Sequence, residues 1–239
     1  MVKKAHKTVG VMGGMGPDAT VDFMAKVVAL TDAACDQDHV HMLVDQDPTV
    51  PNRQLAIASG NDDVTSRLGI MARRLEAAGA EFLVMVCNTA HVFLDDVRST
   101  TTIPFVDLIE ESVAEIERLC PEARSVGVMA TNACLESGIY QDVIEKSGRQ
   151  PVITNTRQTR ELMNLINAVK AGDQGAAVRQ GVRSIASGLV EDGAEVLIAG
   201  CTEIPLVFGD ADSPVPVIES TNVLARRTVA LATGLASFT

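Results

Sequence analysis

One stretch of this chain occurs twice. Ala78-Gly79-Ala80-Glu81-Phe82-Leu83-Val84-Met85-Val86-Cys87 returns as Asp192-Gly193-Ala194-Glu195-Val196-Leu197-Ile198-Ala199-Gly200-Cys201, 114 residues later. The offset holds without a gap through the preceding segment, where Val64, Leu68, Met71 and Leu75 map onto Val178, Val182, Ile185 and Leu189. Eight of the 24 positions from Val64 to Cys87 are identical in the two copies, which is enough to read a duplication rather than a chance likeness of two units. Two further landmarks recur in the same order. Val9-Gly10-Val11-Met12 returns as Val126-Gly127-Val128-Met129, and Ile103-Pro104-Phe105-Val106 as Val215-Pro216-Val217-Ile218. A fixed-period repeat restricts the chain to two copies of one supersecondary arrangement, with small differences of offset absorbed by loops.

Each half alternates short apolar runs with amphipathic stretches. In the first half Thr8–Met12, Val40–Val44 and Glu81–Val86 read as strands, and 104–108 as a last one. Pro17–Leu30 reads as a helix, with Pro in its first turn and Val21, Met24 and Val28 on one face. Asp62–Ala78 is a helix closed by Gly79, and Asn88–Arg98 a short one. Helices Arg160–Lys170 and Gly175–Glu191 stand out in the second half. Strands alternating with helices imply a parallel sheet wrapped by helices. The expected fold is α/β, two pseudo-twofold-related domains, each a parallel sheet flanked by helices.

Composition narrows the function. The 239 residues are 46% hydrophobic and 21% charged, which is globular rather than disordered. No apolar run approaches a membrane span. The start, Met1-Val2-Lys3-Lys4-Ala5-His6-Lys7, is basic, but Val9–Met12 is too short for a signal-peptide core, so a cytoplasmic protein is expected. A net charge of −11 argues against nucleic acid or an anionic membrane as partner. It leaves room for a small anionic substrate met by a few placed cations. Absence of Trp and a single Tyr leave little to stack a base or flavin. Five scattered cysteines read as reduced thiols.

Two of those thiols occupy equivalent places. Cys87 and Cys201 each end a buried strand and precede polar residues that start a helix, Asn88-Thr89 and Thr202-Glu203. Ligands of open α/β sheets sit beyond the carboxyl ends of the strands. A helix N-terminus there favours the thiolate. If the halves face each other, the thiols share a cleft. Racemising a carbon acid needs a base on one face of Cα and an acid on the other, with roles exchanged in reverse, and two equivalent thiols meet that requirement.

The motifs Val11-Met12-Gly13-Gly14-Met15-Gly16-Pro17, Pro51-Asn52-Arg53, Cys87-Asn88-Thr89-Ala90-His91 and Gly200-Cys201-Thr202-Glu203-Ile204-Pro205 together resemble the aspartate/glutamate racemase family. The resemblance covers nearly the whole chain. It implies cofactor-independent racemisation, without pyridoxal and without a metal, with Cys87 and Cys201 as the acid/base pair. It implies an aspartate racemase-like fold with a first domain over 1–103, a second over 104–213, and a C-terminal segment, 214–239, crossing back to the first. A homodimer is also implied. Gly14 and Met15 match the glycine loop lining the pocket, and Arg53 the arginine that meets the substrate's side-chain carboxylate. Asn88, Thr89 and Thr202 match groups that hold the amino-acid head, Lys170 looks like a second cation for the distal carboxylate, and Thr131 and Glu203 also fall among the substrate-binding positions. Arg suits a carboxylate bidentately, Lys as a point charge.

Some features depart from or compete with that pattern. Thr131-Asn132-Ala133-Cys134 carries Ala and Cys where the family has Gly and Thr, and Asp47 stands where members often have Asn, which bears on the substrate. Cys35, Asp36, Asp38, His39 and His41 have metal-ligand types at close spacing, but nothing completes a ligand set, so they read as a polar lead-in to a strand. His91, one helical turn from Cys87, suits a capping or supporting role more than that of a base. Gly13-Gly14-Met15-Gly16 lacks the residues of a nucleotide cradle. The expected activity is racemisation of aspartate or glutamate. The alternatives are maleate cis-trans isomerisation or hydantoin racemisation on the same frame, or a silent dicarboxylate-binding protein.

Overall fold

The computed structural model describes residues 6–238, so the basic stretch Met1–Ala5 lies outside the described residues. They divide into two compact units. The first runs to Leu108 and resumes at Thr221, and the second is Ile109–Ser220.

The first unit is built from β1 (Val9–Gly13), α1 (Pro17–Leu30), β2 (Met42–Gln46), α2 (Arg53–Ser59), α3 (Asp63–Ala77), β3 (Phe82–Met85) and α4 (Leu94–Arg98). Its three strands are all parallel, in the order β2-β1-β3, with Val9 level with Met42 on one side and Phe82 on the other. Successive side chains of a strand point to opposite faces. Leu83 and Met85 accordingly pack with Leu68, Met71 and Leu75 of α3, while Phe82, Val84 and Val86 pack with Phe23 and Val27 of α1. Covering on both faces is why these strands read as continuous apolar runs.

The second unit contains α5 (Leu108–Leu119, whose first residue closes the first unit), β4 (Ser125–Ala130), α6 (Asn132–Glu136), α7 (Ile139–Lys146), β5 (Gln150–Ile153), α8 (Thr156–Lys170), α9 (Ala176–Glu191), β6 (Val196–Gly200) and β7 (Val217–Glu219). Its sheet is again parallel, in the order β5-β4-β6-β7. A final helix, α10 (Ser220–Thr233), returns the chain to the first unit, where Leu224, Ala225, Val229 and Leu231 join the core beneath α1.

The repeat survives down to single contacts. A Cβ on Gly10 would lie 2.5 Å from Leu83 Cδ2 and 2.9 Å from Ala80 Cβ. One on Gly127 would lie 2.4 Å from Leu197 Cδ2 and 2.9 Å from Ala194 Cβ, the same partners 114 residues on. Gly79 and Gly193 close α3 and α9 with φ of 101° and 100°. The Thr8 amide donates to Glu81 and the Ser125 amide to Glu195, tying each first strand to the start of the third.

Several local expectations shift. The buried face of α1 carries Ala19, Thr20, Phe23 and Val27, whereas Val21 is 59% and Val28 49% exposed. Apolar residues ring nearly the whole helix, so periodicity alone points to two faces. The expected strand at 104–108 is reduced to a single parallel bridge between Leu83 and Phe105, in the first unit. Its counterpart β7 pairs with β6, so 214–220, which the sequence groups with the returning C-terminal segment, sits with the second sheet. The expected helix at 88–98 is a 3-10 turn, Thr89–Phe93, continued by α4.

Candidate functional site

In the first unit the glycine loop joins β1 to α1 at the carboxyl edge of the sheet. Gly14 has φ +92°, and a Cβ there would fall 2.4 Å from the carbonyl carbon of Asp47. Only glycine lets the loop lie this close to the chain leaving β2. The Gly14 amide donates to Thr20 Oγ1 at 2.9 Å, and the Asp47 amide donates to the Gly13 carbonyl at 3.3 Å. Arg53 stitches the next segment on: Nη1 donates to the carbonyls of Val50 and Pro51 at 3.1 and 3.0 Å, and Nη2 to that of Met15 at 3.3 Å. Of its five N–H groups, Nε–H and one on Nη2 stay available for a carboxylate. The Met15 side chain packs in the cluster that also holds Cys87 and Ala90. Gly14, Met15, Arg53 and Cys87 are thus gathered around one strand edge.

Asp47 is turned to internal use. Its Oδ1 accepts from the Thr49 amide and hydroxyl at 2.9 and 2.6 Å, and its Oδ2 from Arg67 Nε at 2.6 Å. Hydrogen bonding from Thr49 first, and Arg67 after it, hold its carboxyl below the usual aspartate range. The extra acid at this position is thereby neutralised inside the first unit.

Cys87 is 5% exposed and sits just past β3, with buried Asn88 and Thr89 following. His91 does not reach for its sulfur. The Leu108 amide donates to His91 Nε2 at 3.1 Å, which places the ring proton on Nδ1, and Nδ1 donates to the Cys87 carbonyl at 2.8 Å. Burial keeps this imidazole neutral, its pKa below the ordinary histidine value. Both nitrogens are spent on backbone, so His91 anchors the segment carrying Cys87.

The second unit places Cys201, also 5% exposed, just past β6. Its Sγ donates to Glu203 Oε2 at 3.0 Å, and the Thr202 hydroxyl donates to the same oxygen at 3.3 Å. Lys170 Nζ stands 3.0 Å from Glu203 Oε1, an electrostatic contact rather than an aligned hydrogen bond. Burial first, then the Glu203 charge, pushes the Cys201 thiol well above its usual range, while Lys170 pulls the other way. The sequence expectation of a thiol acidified by a helix N-terminus fails here. The turn that follows is three 3-10 residues, Ile204–Leu206, too short for a useful dipole, and the neighbouring carboxylate is stronger. Cys201 therefore rests as a protonated thiol with its hydrogen held on Glu203.

Thr131, past the end of β4, caps α6 by accepting from the Cys134 amide at 3.3 Å. Ala133 and Cys134, the departures noted in the sequence, are both buried within α6. The Asn132 amide donates to Met163 Sδ of α8 at 3.4 Å, which ties the start of α6 to that helix. The Cys35–His41 stretch stays apart from any site: Asp38 accepts from the Ala34 amide, His41 Nδ1 meets Thr8 Oγ1 at 3.3 Å, and no group of three or more metal-binding side chains occurs among the described residues. No helix among them is long and apolar enough to cross a membrane.

Two repeated parallel sheets each carry a buried cysteine just past their third strand in sequence, and over residues 12–228 the chain belongs to the Asp/Glu/Hydantoin racemase family. That makes it an isomerase of the amino-acid racemase class. It is 29% identical over 228 residues to the broad specificity amino-acid racemase RacX of Bacillus subtilis, covering 92% of this chain and 96% of the relative. Among solved structures, the aspartate racemase of Picrophilus torridus superposes with a TM-score of 0.84 at 28% identity, over 95% of this chain and 94% of that one. An aspartate racemase homologue from Pyrococcus horikoshii OT3 gives 0.77 at 25% identity, over 95% and 99%.

Proposed function

We propose that the protein racemises an acidic amino acid, aspartate or glutamate, by a two-base mechanism run by Cys87 and Cys201. The observation that carries it is the Cys201 thiol, buried, protonated and hydrogen-bonded to Glu203. That is the resting state of an acid waiting to deliver a proton. Its repeat counterpart Cys87 supplies the base. The Cys87 thiolate takes the α-proton from one face, leaving the electron pair on Cα and the α-carboxylate. The Cys201 S–H bond then breaks as its proton bonds to the opposite face. The cycle ends with Cys87 as thiol and Cys201 as thiolate, the state that processes the other enantiomer.

Glu203 orients the Cys201 proton, and Lys170 offsets the second negative charge created when Cys201 ionises. Backbone N–H groups with Asn88, Thr89, Thr131 and Thr202 stabilise charge on the α-carboxylate, beside the loop at Gly14 and Met15. Arg53, through its two remaining N–H groups, and Lys170 take the distal carboxylate. The proposal requires both thiols to reach one α-carbon. It takes the working form to be a cytoplasmic homodimer that needs no pyridoxal cofactor and no metal.

Incubation of the full chain with L- or D-aspartate and glutamate in D2O tests this by NMR and chiral analysis. Deuterium enters Cα and the enantiomers equilibrate with wild type, and Cys87→Ala and Cys201→Ala each abolish interconversion. Turnover of maleate without α-exchange would instead mark an isomerase of the nucleophilic type, and binding without exchange a silent receptor. Near-normal interconversion in either cysteine variant refutes the paired-thiol mechanism.

A further inference from the structure

We propose that Asp47 and Arg67 act together as positioning residues that fix the direction of Arg53, and through it the affinity for the substrate's distal carboxylate. This rests on the role of Arg53 given above. Residues 47–52 join β2 to α2, and Arg53 is the first residue of that helix. What holds this connection in place therefore also aims Arg53.

The start of the connection is a turn closed by the Asp47 side chain. Oδ1 accepts from the Thr49 amide at 2.9 Å and from its hydroxyl at 2.6 Å, the local bonding by which an aspartate shapes the backbone two residues on. The Val50 amide donates to the Asp47 carbonyl at 3.5 Å, and the Asp47 amide to the Gly13 carbonyl at 3.3 Å. Arg67 of α3 clamps the turn from outside, with Nε on Asp47 Oδ2 at 2.6 Å and Nη2 on Thr49 Oγ1 at 3.3 Å. The other end of the connection supplies the acceptors of Arg53. Nη1 donates to the carbonyls of Val50 and Pro51, directly after the turn, and Nη2 to that of Met15 in the glycine loop. A turn that loosens moves two of these three carbonyls, and the guanidinium swings with them.

The chemistry requires a carboxylate here while Arg67 is present. Asp47 is 7% exposed, and every group facing its side-chain oxygens is a donor: the Thr49 amide and hydroxyl on one side, Arg67 on the other. A carboxylate accepts on both oxygens, whereas an amide accepts on one and donates on the other. Whichever way an asparagine is turned, its NH2 meets a donor, either Arg67 Nε or the Thr49 amide. The acid that departs from the family pattern and the arginine twenty residues on are thus one matched device. Glutamine at 67 would suit asparagine at 47, because its amide stands as many bonds from the backbone as Arg Nε and its oxygen can accept.

The test measures KM and kcat for L-glutamate and L-aspartate in wild type, in Asp47→Asn and in Asp47→Asn combined with Arg67→Gln. KM is independent of how much of a preparation is folded, and loss of uniform binding raises KM while leaving kcat unchanged. Misplacing a binding group by about 1 Å can cost about 100-fold, so KM should rise at least about tenfold in Asp47→Asn with kcat within about threefold. In the double variant KM should return to within about threefold of wild type. Arg53→Ala removes the group through which Asp47 acts, so adding Asp47→Asn to it should change kcat/KM by less than about threefold. An unchanged KM in Asp47→Asn overturns the proposal. So does an equal loss of kcat/KM with and without Arg53, or a double variant as impaired as Asp47→Asn alone. If wild type exchanges neither amino acid in D2O, the racemase reading itself fails and takes this one with it.

Discussion

Replacing Gly14 with alanine should cost far more than replacing Gly60, although both residues are left-handed. Gly60 has φ +66° and open space where a Cβ would go. Gly60→Ala therefore meets only the left-handed penalty of about 1–2 kcal/mol. A gain of about 0.4–1 kcal/mol from a stiffer unfolded chain offsets part of it. The net loss is roughly 1 kcal/mol. At Gly14 the new Cβ would lie 2.4, 2.5 and 2.7 Å from the Asp47 carbonyl carbon, oxygen and amide nitrogen. Those are backbone atoms that cannot rotate aside, so the loop or the end of β2 must move, adding about 1–3 kcal/mol. The sum is roughly 2–4 kcal/mol. For a chain of this size each kcal/mol lowers Tm by about 2–4 °C. Melting followed by circular dichroism should show a drop of a few degrees for Gly60→Ala and of about 5–15 °C for Gly14→Ala. Equal drops would refute the claim that close approach to Asp47, rather than backbone handedness, fixes glycine at position 14.

Three further outcomes follow from the charged and buried groups. Asp47 titrates below its unfolded value, so its contribution is complete above the ordinary carboxylate range and is lost as pH falls through the folded pKa. Denaturant midpoints against pH should show that acid limb in wild type and a shallower one in Asp47→Asn. His91 is held neutral, so the unfolded chain binds a proton that the folded one refuses. Stability is full above about pH 6.5 and falls below it. His91→Phe should flatten that slope and cost about 2–4 kcal/mol by stranding the Cys87 carbonyl and the Leu108 amide. In Glu203→Gln the charge that opposes ionisation of Cys201 is gone, so iodoacetamide should label Cys201 faster at neutral pH than in wild type, read by peptide mass spectrometry. Labelling at the wild-type rate would show that Glu203 does not hold the thiol in its protonated form.

Much of the frame was determined by sequence alone. The 4, 3, 4 stripe of Val64, Leu68, Met71 and Leu75, repeated 114 residues later, is buried in both copies, and the strands it covers run parallel in the same order. A repeat and a period are read directly from the chain, and they place Cys87 and Cys201 just beyond the third strand of each half. The tertiary structure decided what local pattern leaves open. Helix α1 is apolar on nearly all sides, so only packing against β1, β3 and α10 selected Phe23 and Val27 over Val21 and Val28. Asp47 became harmless through Arg67, twenty residues away, and Cys201 was set as a thiol by burial and by Glu203, with Lys170 arriving from another helix. A side chain's charge state depends on what desolvates it and which charges stand within a few ångströms, and those neighbours are chosen by the fold rather than by adjacency in the chain.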